Sequence, residues 1–172
     1  AIAADKPQAF LFMGDNIYAD TDDPKIMKEK YRNLNTQPDY AVFAKTVPII
    51  PIWDDHDYGL NDAGREYKMK EASAQLFFEA FNFPTQHEAT KTPGVYHSQI
   101  LGPQGKRVQF IMLDTRYFRS PLKKIKKGKR KVYQIEKGPD ATILGKAQWQ
   151  WLKEQLRKAA ELRIIVSSIQ II

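Results

Sequence analysis

The chain has 172 residues, about one domain's worth, of which 42% are hydrophobic and 27% charged. That composition is globular and excludes disordered and collagen-like classes. The absence of cysteine excludes disulfides, thiolate metal sites and cysteine nucleophiles together, and no apolar run approaches the roughly 18 residues of a membrane span.

The net charge of +7 is local. Arg119, Lys123, Lys124, Lys126, Lys127, Lys129, Arg130 and Lys131 contribute eight positive charges with no acid between them, and the rest of the chain is nearly neutral. The start, AIAAD, has neither a basic n-region nor a long apolar h-region, so no signal peptide is expected in it. The end, ELRIIVSSIQII, reads as a buried strand rather than a polar, frayed terminus. That pattern leads us to expect a piece of a larger fold.

In chain order, residues 8–13 (QAFLFM) form an apolar run stopped by Gly14, which predicts a buried strand. Residues 24–35 and 38–46 predict two short helices with Pro24 and Pro38 in their first turns. Residues 47–53 (VPIIPIW) predict a second strand whose prolines suit an edge. Over 66–82, Met69, Ala72, Leu76, Phe77 and Ala80 fall at helical spacing. GPQG between 94–101 and 106–113 predicts a hairpin. Residues 115–140 read as one long basic loop. Residues 145–161 predict a helix with Ala147, Trp151, Leu152, Leu156 and Ala159 on one face, and 162–171 a last strand. Strands alternating with helices imply an α/β layered fold.

The chemistry sits behind the apolar runs. Gly14-Asp15-Asn16-Ile17-Tyr18-Ala19-Asp20 follows the first, Trp53-Asp54-Asp55-His56-Asp57-Tyr58-Gly59 the second, Asp114-Thr115-Arg116 the fourth, and Ser167-Ser168 the last. In open α/β sheets the ligand site lies beyond the carboxyl ends of the strands. Several carboxylates and a histidine gathered there must be protonated or compensated by a cation. Hard oxygen ligands with one imidazole suit Ca, Mg, Mn, Fe or Zn. Three carboxylates around His56 have little structural use, so the DDHD run is read as functional. Asp114 is read either as a turn cap or as a partner of Arg116, and Tyr18 either as a core aromatic or as a ligand. Ser167 and Ser168 are read as turn residues or caps, and His87 and His97 as surface or sheet residues.

GDNIYAD (14–20), WDDHDYGLND (53–62), LDTRYFR (113–119), LGKAQWQWLKEQL (144–156) and RIIVSSIQ (163–170) occur in the order in which similar segments occur in the PhoD-like alkaline phosphatases and phosphodiesterases. These belong to the metallophosphoesterase class, and the resemblance runs from residue 8 to the end. It implies β-sheets flanked by helices, incomplete in this chain, which would make residues 1–172 a partial catalytic domain. It also implies hydrolysis of phosphate monoesters or diesters at a centre of two or more metal ions, Fe3+ and Ca2+ among them. By resemblance Asp15 bridges the metals and Tyr18 gives a phenolate oxygen to ferric iron. Asp55 takes a position where other metallophosphoesterases carry a metal-binding Asn, and Asp54 is a metal ligand or the support of one. His56 contacts phosphate and acts as general acid, and Arg116 contacts substrate phosphate. The family's early Ser-Cys segment and later GD-x-H segment have no counterpart here. The chain is therefore expected to hold about half of the family's metal ligands and to bind metal weakly by itself. The resemblance further implies an extracytoplasmic, periplasmic or secreted location.

The basic segment has three readings: a solvated loop, electrostatic steering of an anionic substrate, or contact with nucleic acid or phospholipid. Exposed sheet edges in an incomplete fold favour a homo-oligomer. Two other functions compete with the hydrolase: a fragmentary or inactive paralogue used as an interaction module, and a basic nucleic-acid-binding protein, which leaves the DDHD run unexplained.

Overall fold

The computed structural model describes residues 2–127, 130–134 and 136–170. β1 (Phe10–Met13) and β2 (Ile49–Ile52) pair in parallel, with Phe10 opposite Ile49 and Met13 opposite Ile52. Parallel strands need a crossover, and α1 (Pro24–Thr36) and α2 (Pro38–Thr46) provide it. Asp23 caps α1 by accepting from the Lys25 backbone N–H at 2.8 Å. Proline opens both helices, where its missing N–H costs nothing. These two strands form a sheet of their own, so Pro51 lies on an edge, as its lack of a donor requires.

A single turn, α3 (Asp55–Tyr58), leaves β2 almost at once and leads toward α4 (Lys70–Ala80). The helix predicted over 66–82 is shorter at its start. Glu66 turns back to accept from Gly64 N–H at 3.0 Å, and Tyr67 N–H donates to Gly64 at 3.0 Å, so 64–67 make a turn instead. That turn lays the Tyr67 ring on Gly59, where an added Cβ would come within 2.2 Å of the ring.

β3 (His97–Leu101) and β4 (Val108–Met112) form the predicted hairpin, and β4 continues in parallel with β7 (Leu162–Val166). The crossover from β4 to β7 contains α5 (Gly145–Leu156). The helix predicted to residue 161 stops at Leu156. Its last N–H groups tighten onto Glu154 and Gln155, and the N–H groups of Glu161 and Leu162 both turn to the Arg107 carbonyl at 3.1 Å to open β7. The Arg107–Glu161 ion pair at 2.7 Å fixes that entry.

Segment 115–140 is not one loop. It contains an antiparallel pair, β5 (Lys123–Lys127) and β6 (Arg130–Gln134), with Ile125 opposite Val132. Lys129 lies outside the described residues.

The main core joins the layers. Trp53, Tyr58, Phe77, Met27, Tyr31, Ile50 and Ile52 pack between the first sheet and its helices, and the same cluster reaches Val95, Phe110, Met112 and Val166 of the second sheet. Each such burial is worth about 1.5–3 kcal/mol. The period of two along β4 puts Ile111 and Leu113 on the opposite face, against Leu144 and Leu152 beside and within α5. The buried face of α5 also includes Gln148 and Gln155, which the apolar spacing overlooks. Gln148 brackets the end of β4, accepting from Asp114 N–H at 2.9 Å and donating to the Asp114 carbonyl at 2.8 Å. The result is an α/β arrangement of small sheets flanked by helices. Among the described residues, no helix is long and apolar enough to cross a membrane.

Candidate metal centre

β1 and β2 end side by side, and the end of β7 closes on them. Gly14 has a φ of +110°, and a Cβ there would meet the Asp54 Cβ at 2.5 Å and the Ser168 Cβ at 3.2 Å. Only a residue without a side chain permits that approach. The next residue, Asp15, also holds a left-handed φ of +52°, a strained backbone of the kind that persists where the surroundings impose it.

This geometry brings Asp15, Asp55 and His56 together. One ligand atom from each lies within 4.8 Å of the others. Asp15 Oδ1 is buried with no hydrogen-bond partner. Burial and then the neighbouring carboxylates of Asp54 and Asp55 hold its carboxyl above the usual range. An orphaned carboxylate oxygen, a second carboxylate and an imidazole converging on one point form a donor set that fits a hard or borderline cation.

Asp55 is better satisfied. Its Oδ2 accepts from Asp62 N–H at 2.7 Å and Asn61 Nδ2 at 3.2 Å, and its Oδ1 lies 3.5 Å from Arg116. Burial pushes its acidity down, but these donors outweigh burial and hold the pKa below the ordinary value. His56 Nδ1 sits 2.6 Å from Asp20 Oδ1. Burial works against the imidazolium, yet Asp20, Asp55 and Asp15 together hold its pKa above the ordinary value. The Tyr18 ring lies 4.4 Å from the His56 ring, and its hydroxyl donates to Asp15 Oδ2 at 3.4 Å. Tyr18 is 60% exposed, so it is not a core aromatic. The Asp15 carboxylate keeps its phenol protonated beyond the usual range. A phenolate there requires a cation at Asp15.

Asp54 stands apart from the Asp15–Asp55–His56 group. Its Oδ1 accepts from Arg116 Nε at 2.5 Å and from Ser168 Oγ at 2.7 Å. Ser168 is therefore more than a turn residue, because with Thr115 Oγ1 at 2.7 Å it ties the ends of β4 and β7 to Asp54. Arg116 is 6% exposed and sits against Asp54 and Asp55 at the edge of the cluster.

Two carboxylates in the motifs are structural. Asp57, inside the DDHD run, is fully buried and closes a capping box with Asp54, accepting from its N–H at 2.6 Å. Its other oxygen takes the backbone N–H of Asn16 at 3.1 Å and the Asn16 side-chain amide. It clips the GDN turn to α3, so the expectation that all three carboxylates of the run lack structural use is wrong. Asp114 is a turn cap rather than an Arg116 side-chain partner, accepting from the N–H groups of Arg116 at 2.9 Å, Tyr117 at 3.0 Å and Val95 at 3.0 Å. His97 is a buried sheet residue, and His87 caps a short 3-10 turn through Ala89 N–H at 3.2 Å.

Asp20 and Asp62 are site neighbours that the motif reading did not single out, and Ser168 is one that it read as a turn residue or cap. Asp20 stood in plain view at the end of GDNIYAD, five residues beyond Asp15. Asp62 carried no signal, because it acts on Asp55 through its backbone.

An α/β fold with carboxylates and a histidine at the carboxyl ends of its strands is the arrangement of a metallophosphoesterase-like domain. The chain belongs to the PhoD-like phosphatase family, whose model matches residues 1–172. The solved structure of PhoD is similar over 90% of this chain, with a TM-score of 0.64 at 16% identity. This chain covers 35% of that one. No curated protein matches the chain.

Proposed function

We propose that the Asp15–Asp55–His56 edge hydrolyses phosphate monoesters or diesters with the help of bound metal ions. The observation that carries this reading is the convergence of those three residues in a chain of the PhoD-like family. Asp15 and Asp55 hold the metals, with Tyr18 as a further ligand able to favour ferric iron beside calcium. Of the two roles open to Asp54, its bonds to Arg116 and Ser168 favour that of support. When bound, the metals supply Lewis acidity and acidify the attacking water.

The chain's own residues do the rest. His56, protonated and held by Asp20, contacts the phosphate and gives its proton to the leaving oxygen. Arg116, clamped by Asp54, places a fixed positive charge at the same edge and offsets charge on the phosphoryl oxygens. Gly14 and the Asp57–Asn16 clip keep the strand ends close enough for these groups to act together. The substrate class includes nucleic-acid and phospholipid diesters, for which the basic segment supplies charge complementarity. We extend the reading to an extracytoplasmic setting by family. Self-association through the exposed edge of β7, where Leu162 and Ile165 face outward, is part of the same proposal.

The test is elemental analysis of the purified chain together with turnover of p-nitrophenyl phosphate and its bis ester. Bound metal with turnover that is lost on chelation and absent in D15N supports the reading. Metal-independent turnover, or turnover unchanged in D15N, overturns it.

A further inference from the structure

We propose that the β5–β6 hairpin is a recognition arm that takes the flanking phosphates of a linear phosphodiester chain and so favours substrates with several phosphates over single ones. The inference rests on the hydrolase reading for what happens at the metal edge, but its own basis is the hairpin.

All five residues of β5 are exposed, four of them lysines. Among the described residues, only Lys123 of these four has an ion-pair partner, Glu136 at 2.8 Å. The register places Lys126 opposite Lys131 and Lys127 opposite Arg130. Alternate residues on a strand stand about 6.8 Å apart, a spacing of the same order as successive phosphates in an extended phosphodiester. Lys124 and Lys126 share one face at that spacing.

The arm is fastened to the candidate metal centre. The Tyr133 hydroxyl of β6 donates to the Asp62 carboxylate. The Asp62 N–H donates to Asp55 at 2.7 Å, and the Asp62 carbonyl accepts from buried Arg119 at 2.5 Å. One residue, held at a left-handed φ of +59°, thus joins the lysine hairpin to a proposed metal ligand. Lys124 lies over the Tyr133 ring at 5.3 Å, at the point where the arm meets the body. Through that tie, a chain that presents one phosphodiester at the edge would offer its flanking phosphates to Lys124 and Lys126. An anionic lipid surface is the weaker fit, since Ile125 is the single apolar residue of β5 and four ammonium groups surround it.

The experiment is fluorescence anisotropy of the whole chain in chelator, with fluorescein-labelled oligo(dT) as the polymer and a labelled thymidine dinucleotide as the short control. The variant is K124Q/K126Q/K127Q, all at exposed positions, with its melting temperature measured beside the parent's to confirm that it is folded. Oligo(dT) binds the parent tightly and the dinucleotide weakly. The variant loses about tenfold in oligo(dT) affinity, and its slope of log affinity against log salt falls by about 2, from about 0.7 per lost phosphate contact. Equal oligo(dT) binding by parent and variant overturns the proposal. So does binding to phosphatidylglycerol–phosphatidylcholine vesicles without binding to oligo(dT), which assigns the hairpin to lipid. Polymer binding that depends on the lysines, in a chain whose turnover is independent of metal, overturns the hydrolase reading alone.

Discussion

Asp20 Oδ1 lies 2.6 Å from Nδ1 of His56, across 36 residues of chain. The contact makes His56 the one histidine among carboxylates, and its effect can be measured without metal or substrate. The folded-state pKa of His56 is raised, because the favourable effects of Asp20, Asp55 and Asp15 exceed the burial that opposes them. A histidine raised in the fold contributes stability that is complete below its unfolded value and fades as the pH rises through the folded value. In metal-free protein followed by NMR, D20N should move the His56 titration to lower pH and weaken the pH dependence of stability above neutrality. An unchanged titration in D20N would show that the contact does not hold the proton.

Asp57 sits at zero exposure and binds two backbone N–H groups, of Asp54 and Asn16. Removing its carboxylate strands both donors in the interior, at about 1–3 kcal/mol each. D57A should lower stability by about 3 kcal/mol in urea denaturation, far more than D20N. A loss under about 1 kcal/mol would mean that the Asn16 clip is dispensable.

These two aspartates show what a sequence can reveal here. Asp15 and His56 were legible because each follows an apolar run directly, and strand ends are where α/β sites form. Asp57 looked the same as its neighbours in the DDHD run, since its partner Asn16 is 41 residues away. Parity along the turn decides which carboxylate faces the site and which faces the core, and composition cannot report that. The β5–β6 hairpin escaped for another reason. Strand signals depend on alternation between apolar and polar residues, and KKIKK offers one apolar position on a strand exposed along its whole length. Gln148 escaped because its burial rests on hydrogen bonds to the end of β4 rather than on apolar area, and Gln155 because it is a polar residue whose backbone carbonyl, not its side chain, takes the Gln109 amide.

Gly14 is the narrowest point of the site. G14A would place a Cβ 2.5 Å from Asp54 and force a side chain onto a φ of +110°. The strand ends must then separate, which also moves Asp15 away from Asp55. We expect a loss of about 2–3 kcal/mol together with weaker binding of Mn2+ in calorimetry. Wild-type metal affinity in a folded G14A would show that the close approach serves packing alone.

His97 provides the acid limit of the fold. Burial pushes its imidazole down to about 4, while Nδ1 stays on the Val95 carbonyl at 3.1 Å. His87, with its ring centre 6.2 Å away, adds to the penalty whenever it is charged. The folded chain keeps His97 neutral, whereas the unfolded chain takes up a proton near pH 6.5. The unfolded state therefore binds more protons between about 6.5 and 4, and stability falls with pH across that window. The loss between pH 7 and 5 should be about 2 kcal/mol for this group. H97Q, which keeps a polar side chain of similar reach, should show a correspondingly flatter acid limb in urea titrations at several pH values. If the two proteins lose stability in parallel, the acid sensitivity belongs to the carboxylates at the strand ends and not to His97.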